Sequence, residues 1–182
     1  MISKKNLLQK ILENLNESLI KLFKLFSEKN PSFTGKVSIA SSGLDSLFVF
    51  DLLQYTEFTF KVQSFFALGM PTGMLKKGVF NEILEAPKLC EKLFNISHPS
   101  DFLAQRFEPL INTAALESPP KLIDELLNYD ASIIDFTLPI DTSFESSSLL
   151  WNFSPEFYWD SDKLSLLLVR EIYSEIKVDG MF

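Results

Sequence analysis

Cysteine and histidine are scarce in this sequence, which holds one residue of each, Cys90 and His98. A single cysteine excludes an internal disulfide and a zinc site built from cysteines, and it fits a reducing cytoplasm. We expect Cys90 to fill the core, because it lies in an apolar stretch. A lone histidine, with no second histidine or cysteine to join it, does not predict a metal site.

Long hydrophobic runs are also missing. No apolar run reaches the roughly 20 residues that cross a bilayer, and the first residues lack the basic, apolar and small-residue pattern of a secretory signal. We therefore expect a cytoplasmic protein with no membrane partner. Apolar residues are nevertheless abundant, at 46% of the chain, and phenylalanine alone occurs 18 times. A chain of 182 residues with this composition predicts one domain with a sizeable core.

Basic residues are fewer than acidic ones, which gives a net charge of −7. Broad tRNA binding rests on the neutralisation of phosphates by lysine and arginine, so this balance argues against it. A small-molecule substrate is therefore expected in preference to tRNA.

Strand-like and helix-like segments alternate along the chain. Strands alternating with helices predict an α/β fold, a doubly wound, mainly parallel sheet with helices on both faces and with N-terminal and C-terminal helices added. The first helix is amphipathic and is expected to pack on the core, with a homodimer contact as the alternative. The predicted strands are 36–40, 58–68 and 131–138, and the predicted helices are 7–26, 47–53, 80–98, 119–129 and 164–176.

The junction between the first strand and the second helix reads Ser41-Ser42-Gly43-Leu44-Asp45-Ser46. The first N–H groups of a helix lack intrahelical partners, and together with the helix dipole they attract anions. Gly43 permits backbone geometry that a side chain would forbid. The junction therefore predicts a phosphate-binding loop that is neither Walker A nor the Rossmann glycine motif.

These six residues resemble the signature of the PP-loop ATP pyrophosphatases, Ser-Gly-Gly-x-Asp-Ser, with Ser42 in place of the first glycine. The resemblance implies an ATP-binding enzyme that adenylates an acceptor oxygen and releases pyrophosphate. The catalytic residues would be Asp45 and Ser46. The resemblance also implies that residues from Ser41 to Ser46, Leu44 included, bind ATP and that Asp45 coordinates Mg²⁺. Asp141, after the last strand, is the candidate second metal ligand.

Three other interpretations of the loop remain open. Ser46 could simply lie in a capped helix start, because serine and aspartate are preferred there. The protein could be a catalytically degenerate PP-loop relative that binds or assembles without reacting. Gly43-Leu44-Asp45-Ser46-Leu47 also looks like the phosphopantetheine site of acyl carrier proteins, with Ser46 modified.

Three regions follow from these assignments. Residues 1–34 would form the N-terminal helix and residues 35–145 the PP-loop-like nucleotide-binding domain. Residues 146–182 would contain an aromatic segment and the C-terminal helix. The aromatic segment, Trp151 to Trp159, holds five aromatic residues within nine positions. Such density is typical of core closure, with base stacking as the alternative.

Overall fold

Five parallel strands form one sheet in the order β1-β2-β3-β5-β4. The computed structural model describes residues 4–55, 58–77, 90–123, 133–139 and 156–173. The strands are β1 (Val37–Ser42), β2 (Val62–Leu68), β3 (Cys90–Ser97), β4 (Lys121–Leu122) and β5 (Ile133–Thr137). The helices are α1 (Lys4–Lys29), α2 (Asp45–Tyr55), α3 (Glu108–Ile111), α4 (Glu156–Trp159) and α5 (Asp162–Tyr173), with 3₁₀ helices at Thr72–Lys77 and Thr113–Glu117. The predicted α/β class with a parallel sheet is confirmed.

Alternate side chains of β2 enter two separate apolar clusters. Phe65 and Ala67 belong to a cluster with residues of α2 such as Phe50. Phe66 and Leu68 belong to a second cluster, which includes residues of β3, β5 and α5. Because successive side chains of a strand point to opposite faces, the two clusters lie on opposite faces of the sheet. All seven residues of β2 are buried, as expected of a strand covered on both faces.

The helix α2 follows β1 directly and is buried along most of its length. Its residues Leu47, Phe50 and Leu53 are at most 2% exposed. Asp45 in the first turn places negative charge at the positive end of the helix dipole. This short, buried helix holds the turn that precedes it firmly against the sheet.

The long N-terminal helix α1 covers the segment 7–26 that was predicted to be helical. Leu8 and Leu15 pack against the cluster that contains α2, whereas Leu22 and Leu25 are exposed. The predicted first helix therefore exists and contacts the core through one face.

Two predicted helices are wrong where the structure describes them. The 80–98 segment contains β3, and the 119–129 segment contains the two-residue strand β4. The residues Leu93, Phe94 and Ile96 are fully buried in the sheet. A short apolar run that is buried on both faces shows no hydrophobic periodicity that distinguishes a strand from a helix. Packing in the tertiary structure therefore decided that this segment is a strand. The predicted strand at 131–138 is confirmed by β5.

Several expectations fall on residues that the structure does not describe. Asp141 lies outside the described residues, as do Trp151 and the start of the aromatic segment. In the described ranges, no helix combines the length and apolar character needed to cross a membrane.

Candidate functional site

The carboxyl ends of β1, β2 and β3 meet at one edge of the sheet. The amide of Gly43 donates a hydrogen bond of 2.7 Å to the carbonyl of Leu68. In the same way the amide of Gly69 donates one of 2.8 Å to the carbonyl of Ile96. Each turn is thus tied to the end of the next strand. We call this region the carboxyl edge, and ligands of open parallel sheets bind at such edges.

Gly43 forms a sharp turn between β1 and α2. Its φ angle is +57°, in the left-handed region that glycine adopts without cost. Two residues later α2 begins, and the amide of Ser46 already donates to the Gly43 carbonyl at 3.2 Å. A Cβ atom built on Gly43 would meet no atom within 4 Å. The turn therefore presents open space at the position where a side chain would project.

The residues predicted to bind phosphate lie on this turn but differ in accessibility. The Ser41 hydroxyl donates to Oγ of Ser46 at 3.1 Å, and Ser46 is 0% exposed. The predicted hydroxyl ligands therefore bond to each other. Ser42 is half-buried at the end of β1, whereas Leu44 and Asp45 are exposed.

This strand, turn and helix have the shape of the nucleophile elbow of serine hydrolases. In that motif, G-x-S-x-G, the serine occupies a sharp, strained turn after a strand, and its hydroxyl projects above the sheet. Here Gly43 occupies the position of the serine, and Ser41 and Asp45 occupy those of the flanking glycines. The scaffold of the elbow is present, but the residue at its apex carries no nucleophile. The sequence alone did not indicate an elbow, because none of the three motif positions carries its usual residue.

The buried Tyr158 and the half-buried Asp101 form a hydrogen-bonded pair at the carboxyl edge, after the end of β3. The Tyr158 hydroxyl donates to Oδ2 of Asp101 at 2.7 Å and accepts from the His98 amide at 3.1 Å. Burial raises the pKa of the Tyr158 hydroxyl well above its ordinary value, and the bond to the carboxylate raises it further. Oδ1 of Asp101 accepts from the Leu103 amide at 3.0 Å and thereby holds the following loop.

His98 lies at the same edge. Burial lowers the pKa of its imidazole, and the nearby Asp101 carboxylate opposes that shift in part. Its Nδ1 atom accepts a hydrogen bond of 3.1 Å from the Ser100 amide, which requires that this nitrogen be unprotonated. His98 is also the one histidine of the sequence. Burial and the hydrogen bond accepted by Nδ1 thus both favour the neutral form of the imidazole.

A buried carboxylate supports the loop behind the edge. Asp135 on β5 is 1% exposed and accepts from the side chain of Asn95 at 2.8 Å. It also accepts from the amides of Phe107 at 2.8 Å and Glu108 at 2.9 Å. Burial raises the pKa of Asp135 although these three hydrogen bonds oppose the shift. Asp135 thus fixes the start of α3 against the sheet.

The structure gives no support for a metal centre in its described part. Among the residues described, no three histidine, cysteine, aspartate or glutamate side chains gather closely enough to hold a metal ion. The proposed ligand Asp45 is exposed at the start of α2, and Asp141 lies outside the described ranges.

Comparison with known proteins identifies a different relationship from the predicted one. The DDHD domain family matches residues 58–129, which include β2, β3 and β4. The chain is 30% identical over 119 residues, 56% of its length, to a Saccharomyces cerevisiae protein named as a probable mitochondrial phospholipase. It is 30% identical over 127 residues, 70% of its length, to mouse SEC23-interacting protein. It is 35% identical over 86 residues, 39% of its length, to phospholipase SGR2 of Arabidopsis thaliana.

The chain spans less than a fifth of the length of these relatives, at 17%, 12% and 9% respectively. No solved structure matches the chain. The region shared with the S. cerevisiae relative amounts to more than half of the present sequence.

These similarities correct the family and the reaction predicted from the loop. The resemblance to PP-loop ATP pyrophosphatases is wrong, because the matches are to the DDHD domain and to proteins named as phospholipases. The predicted function, an ATP-dependent ligase that adenylates an acceptor oxygen, is wrong for the same reason. The physical cause of the error is local, since a small-residue turn between a strand and a helix suits a phosphate loop and a nucleophile elbow equally well.

Proposed function

We propose that this chain is a phospholipid-recognising domain of lipase type in which Gly43 replaces the nucleophile, so that it binds lipid without hydrolysing it. The observation that carries the proposal is the elbow turn at Gly43, with its φ of +57° and the open space above it. The similarity to the S. cerevisiae and A. thaliana proteins, whose names describe phospholipases, supports phospholipid as the ligand class.

Hydrolysis at this turn would need a nucleophile and a base. A serine nucleophile is activated by a histidine within hydrogen-bond reach. Gly43 offers no hydroxyl, and the hydroxyls of Ser41 and Ser46 on the two sides of the turn bond to each other. The one histidine, His98, has its Nδ1 occupied by the Ser100 amide. These features favour binding over catalysis.

The space above Gly43 provides the first test. A short-chain phosphatidylcholine, used below the concentration at which it forms micelles, should shift the amide NMR signals of Gly43 and Leu44. Gly43→Asn should weaken this binding, because asparagine tolerates the left-handed conformation and fills the space. Ala114→Asn, at an exposed position on the 3₁₀ helix Thr113–Glu117, is the matched control and should bind like the wild type.

Hydrolysis is measured on the same samples. We expect no release of fatty acid from the phosphatidylcholine by the wild-type chain. Hydrolysis by the wild type that Gly43→Asn abolishes would overturn the non-catalytic assignment. An absence of any amide shift across the accessible lipid concentrations would overturn phospholipid recognition itself.

We also propose that the sheet is doubly wound, which the apolar clusters on its two faces support. The boundaries near residues 34 and 145, the homodimer and the cytoplasmic location stay predictions. ATP and Mg²⁺ binding stays a prediction as well, although the family resemblance on which it depended is wrong.

A further inference from the structure

We propose that the carboxyl edge docks on the surface of a neutral bilayer of the phosphatidylcholine type by inserting a set of exposed apolar side chains. This proposal rests on the proposed function and names the physical form in which the lipid is met. We call the set the apolar rim, and it consists of Leu44, Phe102, Leu103 and Trp159, which are 48%, 60%, 52% and 50% exposed.

Members of the apolar rim come from three separate parts of the chain that converge at one edge. Leu44 follows Gly43 directly at the end of β1. Phe102 and Leu103 follow Asp101 in the loop after β3. Trp159 follows Tyr158, whose hydroxyl bonds to Asp101. Because neighbouring strands lie about 5 Å apart, the ends of β1 and β3 are separated by only about 10 Å, so the members of the rim share the carboxyl edge with the elbow.

The loop that carries Phe102 and Leu103 is held by hydrogen bonds from its backbone amides to the Asp101 side chain. Oδ1 of Asp101 accepts from the amides of Leu103 and Ala104 at 3.0 and 3.2 Å. The two apolar side chains are therefore presented outward by a fixed turn. Large apolar side chains exposed together mark sites of contact with proteins or membranes. A lipid face fits this position because the rim lies on the same edge of the sheet as the turn at which the lipid is proposed to bind.

The charge of the protein selects the kind of bilayer. The net charge is −7, and the exposed carboxylates Asp45 and Asp160 adjoin members of the rim. Anionic lipids would repel these groups, whereas a zwitterionic surface carries no net charge. Insertion of apolar side chains depends little on ionic strength, while charge attraction falls as salt is added. Docking by this edge should therefore be insensitive to salt.

A second exposed apolar pair supplies the matched control. Val169 and Ile172 on α5 are 55% and 51% exposed, like the residues of the rim. The neighbouring Glu171 pairs with Lys92, which lies near the start of β3, at 2.9 Å. This part of α5 is therefore close to the opposite end of the sheet from the carboxyl edge.

The test is co-sedimentation of the full chain with phosphatidylcholine vesicles, with and without added phosphatidylserine. We expect binding to pure phosphatidylcholine that persists from about 0.05 to about 0.5 M salt and weakens when phosphatidylserine is added. Phe102→Ser combined with Leu103→Ser should weaken binding about tenfold or more, since the two side chains supply much of the apolar area. Val169→Ser combined with Ile172→Ser should bind like the wild type.

Fluorescence tests the placement of the rim directly. The sequence contains two tryptophans, Trp151 and Trp159. In the Trp151→Phe variant, brominated phosphatidylcholine vesicles should quench Trp159, because the rim enters the interface. Circular dichroism and thermal unfolding of every variant verify that its fold is retained.

Four outcomes would overturn the docking proposal. The first three are tighter binding to phosphatidylserine vesicles, equal loss of binding in the α5 control, and an unquenched Trp159. Self-association through the rim without vesicle binding would identify a protein interface and overturn it as well. Short-chain lipid binding at Gly43 that survives in the Phe102 and Leu103 variant would leave the proposed function standing even when docking fails.

Discussion

The Tyr158 hydroxyl donates a hydrogen bond of 2.7 Å to Oδ2 of Asp101 and so joins α4 to the loop after β3. The same oxygen accepts from the His98 amide. Gly69, at the end of β2, leaves just enough room for the pair, because a Cβ there would lie 2.6 Å from Asp101 Oδ2 and 2.8 Å from the Tyr158 hydroxyl. Tyr158 is thus joined by hydrogen bonds at the carboxyl edge to two residues that lie far from it in the sequence.

Removal of the Tyr158 hydroxyl should destabilise the carboxyl edge without creating a cavity in the core. Tyr158→Phe keeps the ring, which is 3% exposed, but removes the donor to Oδ2 of Asp101 and the acceptor of the His98 amide. We expect a loss of about 1–3 kcal/mol in the free energy of unfolding, measured by urea denaturation. Tyr173→Phe, at an exposed position on α5, should change the stability by less than about 0.5 kcal/mol. Equal stabilities of the Tyr158 variant and the wild type would contradict this account of the hydrogen bond.

Two glycines with similar backbone angles should respond differently to substitution. Gly43 has a φ of +57° and open space around a built Cβ, whereas Gly69 has a φ of +67° and a Cβ that would overlap Asp101. Gly43→Ala should cost about 1–2 kcal/mol from backbone strain alone. Gly69→Ala should cost about 2–4 kcal/mol, because the overlap adds to the strain. Thermal unfolding of both variants measures the difference, and a larger loss at Gly43 would contradict the geometry.

The carboxylate behind the edge should be essential to the fold. Asp135→Ala removes the acceptor of the Phe107 and Glu108 amides and one of the two acceptors of the Asn95 side chain, which also donates to the Gln105 carbonyl. We expect destabilisation of about 3–5 kcal/mol in urea, because buried donors lose their partners. Glu117→Ala, at an exposed position, serves as the control and should lie within about 0.5 kcal/mol of the wild type. A cost below about 1 kcal/mol for Asp135→Ala would show that water or another group replaces the carboxylate.

A buried acid on α2 makes stability depend on pH. Asp51 is 4% exposed, and burial raises its pKa from 3.8 to about 6. The folded state therefore binds this proton more tightly than the unfolded state, so the contribution of Asp51 to stability is full below about pH 4 and is lost as the pH rises through 6. Asp51→Asn removes this dependence.

The difference between Asp51→Asn and the wild type isolates that contribution. At pH 8 the variant should be more stable than the wild type by about 1–3 kcal/mol, whereas at pH 4 the advantage should be largely absent. Urea denaturation across this range measures the difference, and Glu117→Gln should give no such trend. A stability difference that is constant with pH would show that Asp51 does not titrate as its burial implies.

Local patterns predicted those elements whose residues have a clear period or a distinctive junction. The stripe from Leu7 to Phe26 predicted α1, and the apolar run after Ser46 predicted α2. The segment at Leu93 to Ile96 failed, because a fully buried strand and a buried helix share the same apolar composition. Its assignment depended on neighbours from β2 and β5 that no local window contains.

The candidate site divides in the same way. The sequence by itself determined that a small-residue turn with one glycine lies between a strand and a helix, because those residue types permit little else there. Only the tertiary structure decided that Gly43 stands at the apex of an elbow, that Ser41 and Ser46 bond to each other, and that Asp101 and Tyr158 meet beside the turn. Those relationships join strands and helices distant in the chain, and hydrogen bonds and burial in the folded sheet fix them rather than local backbone preference.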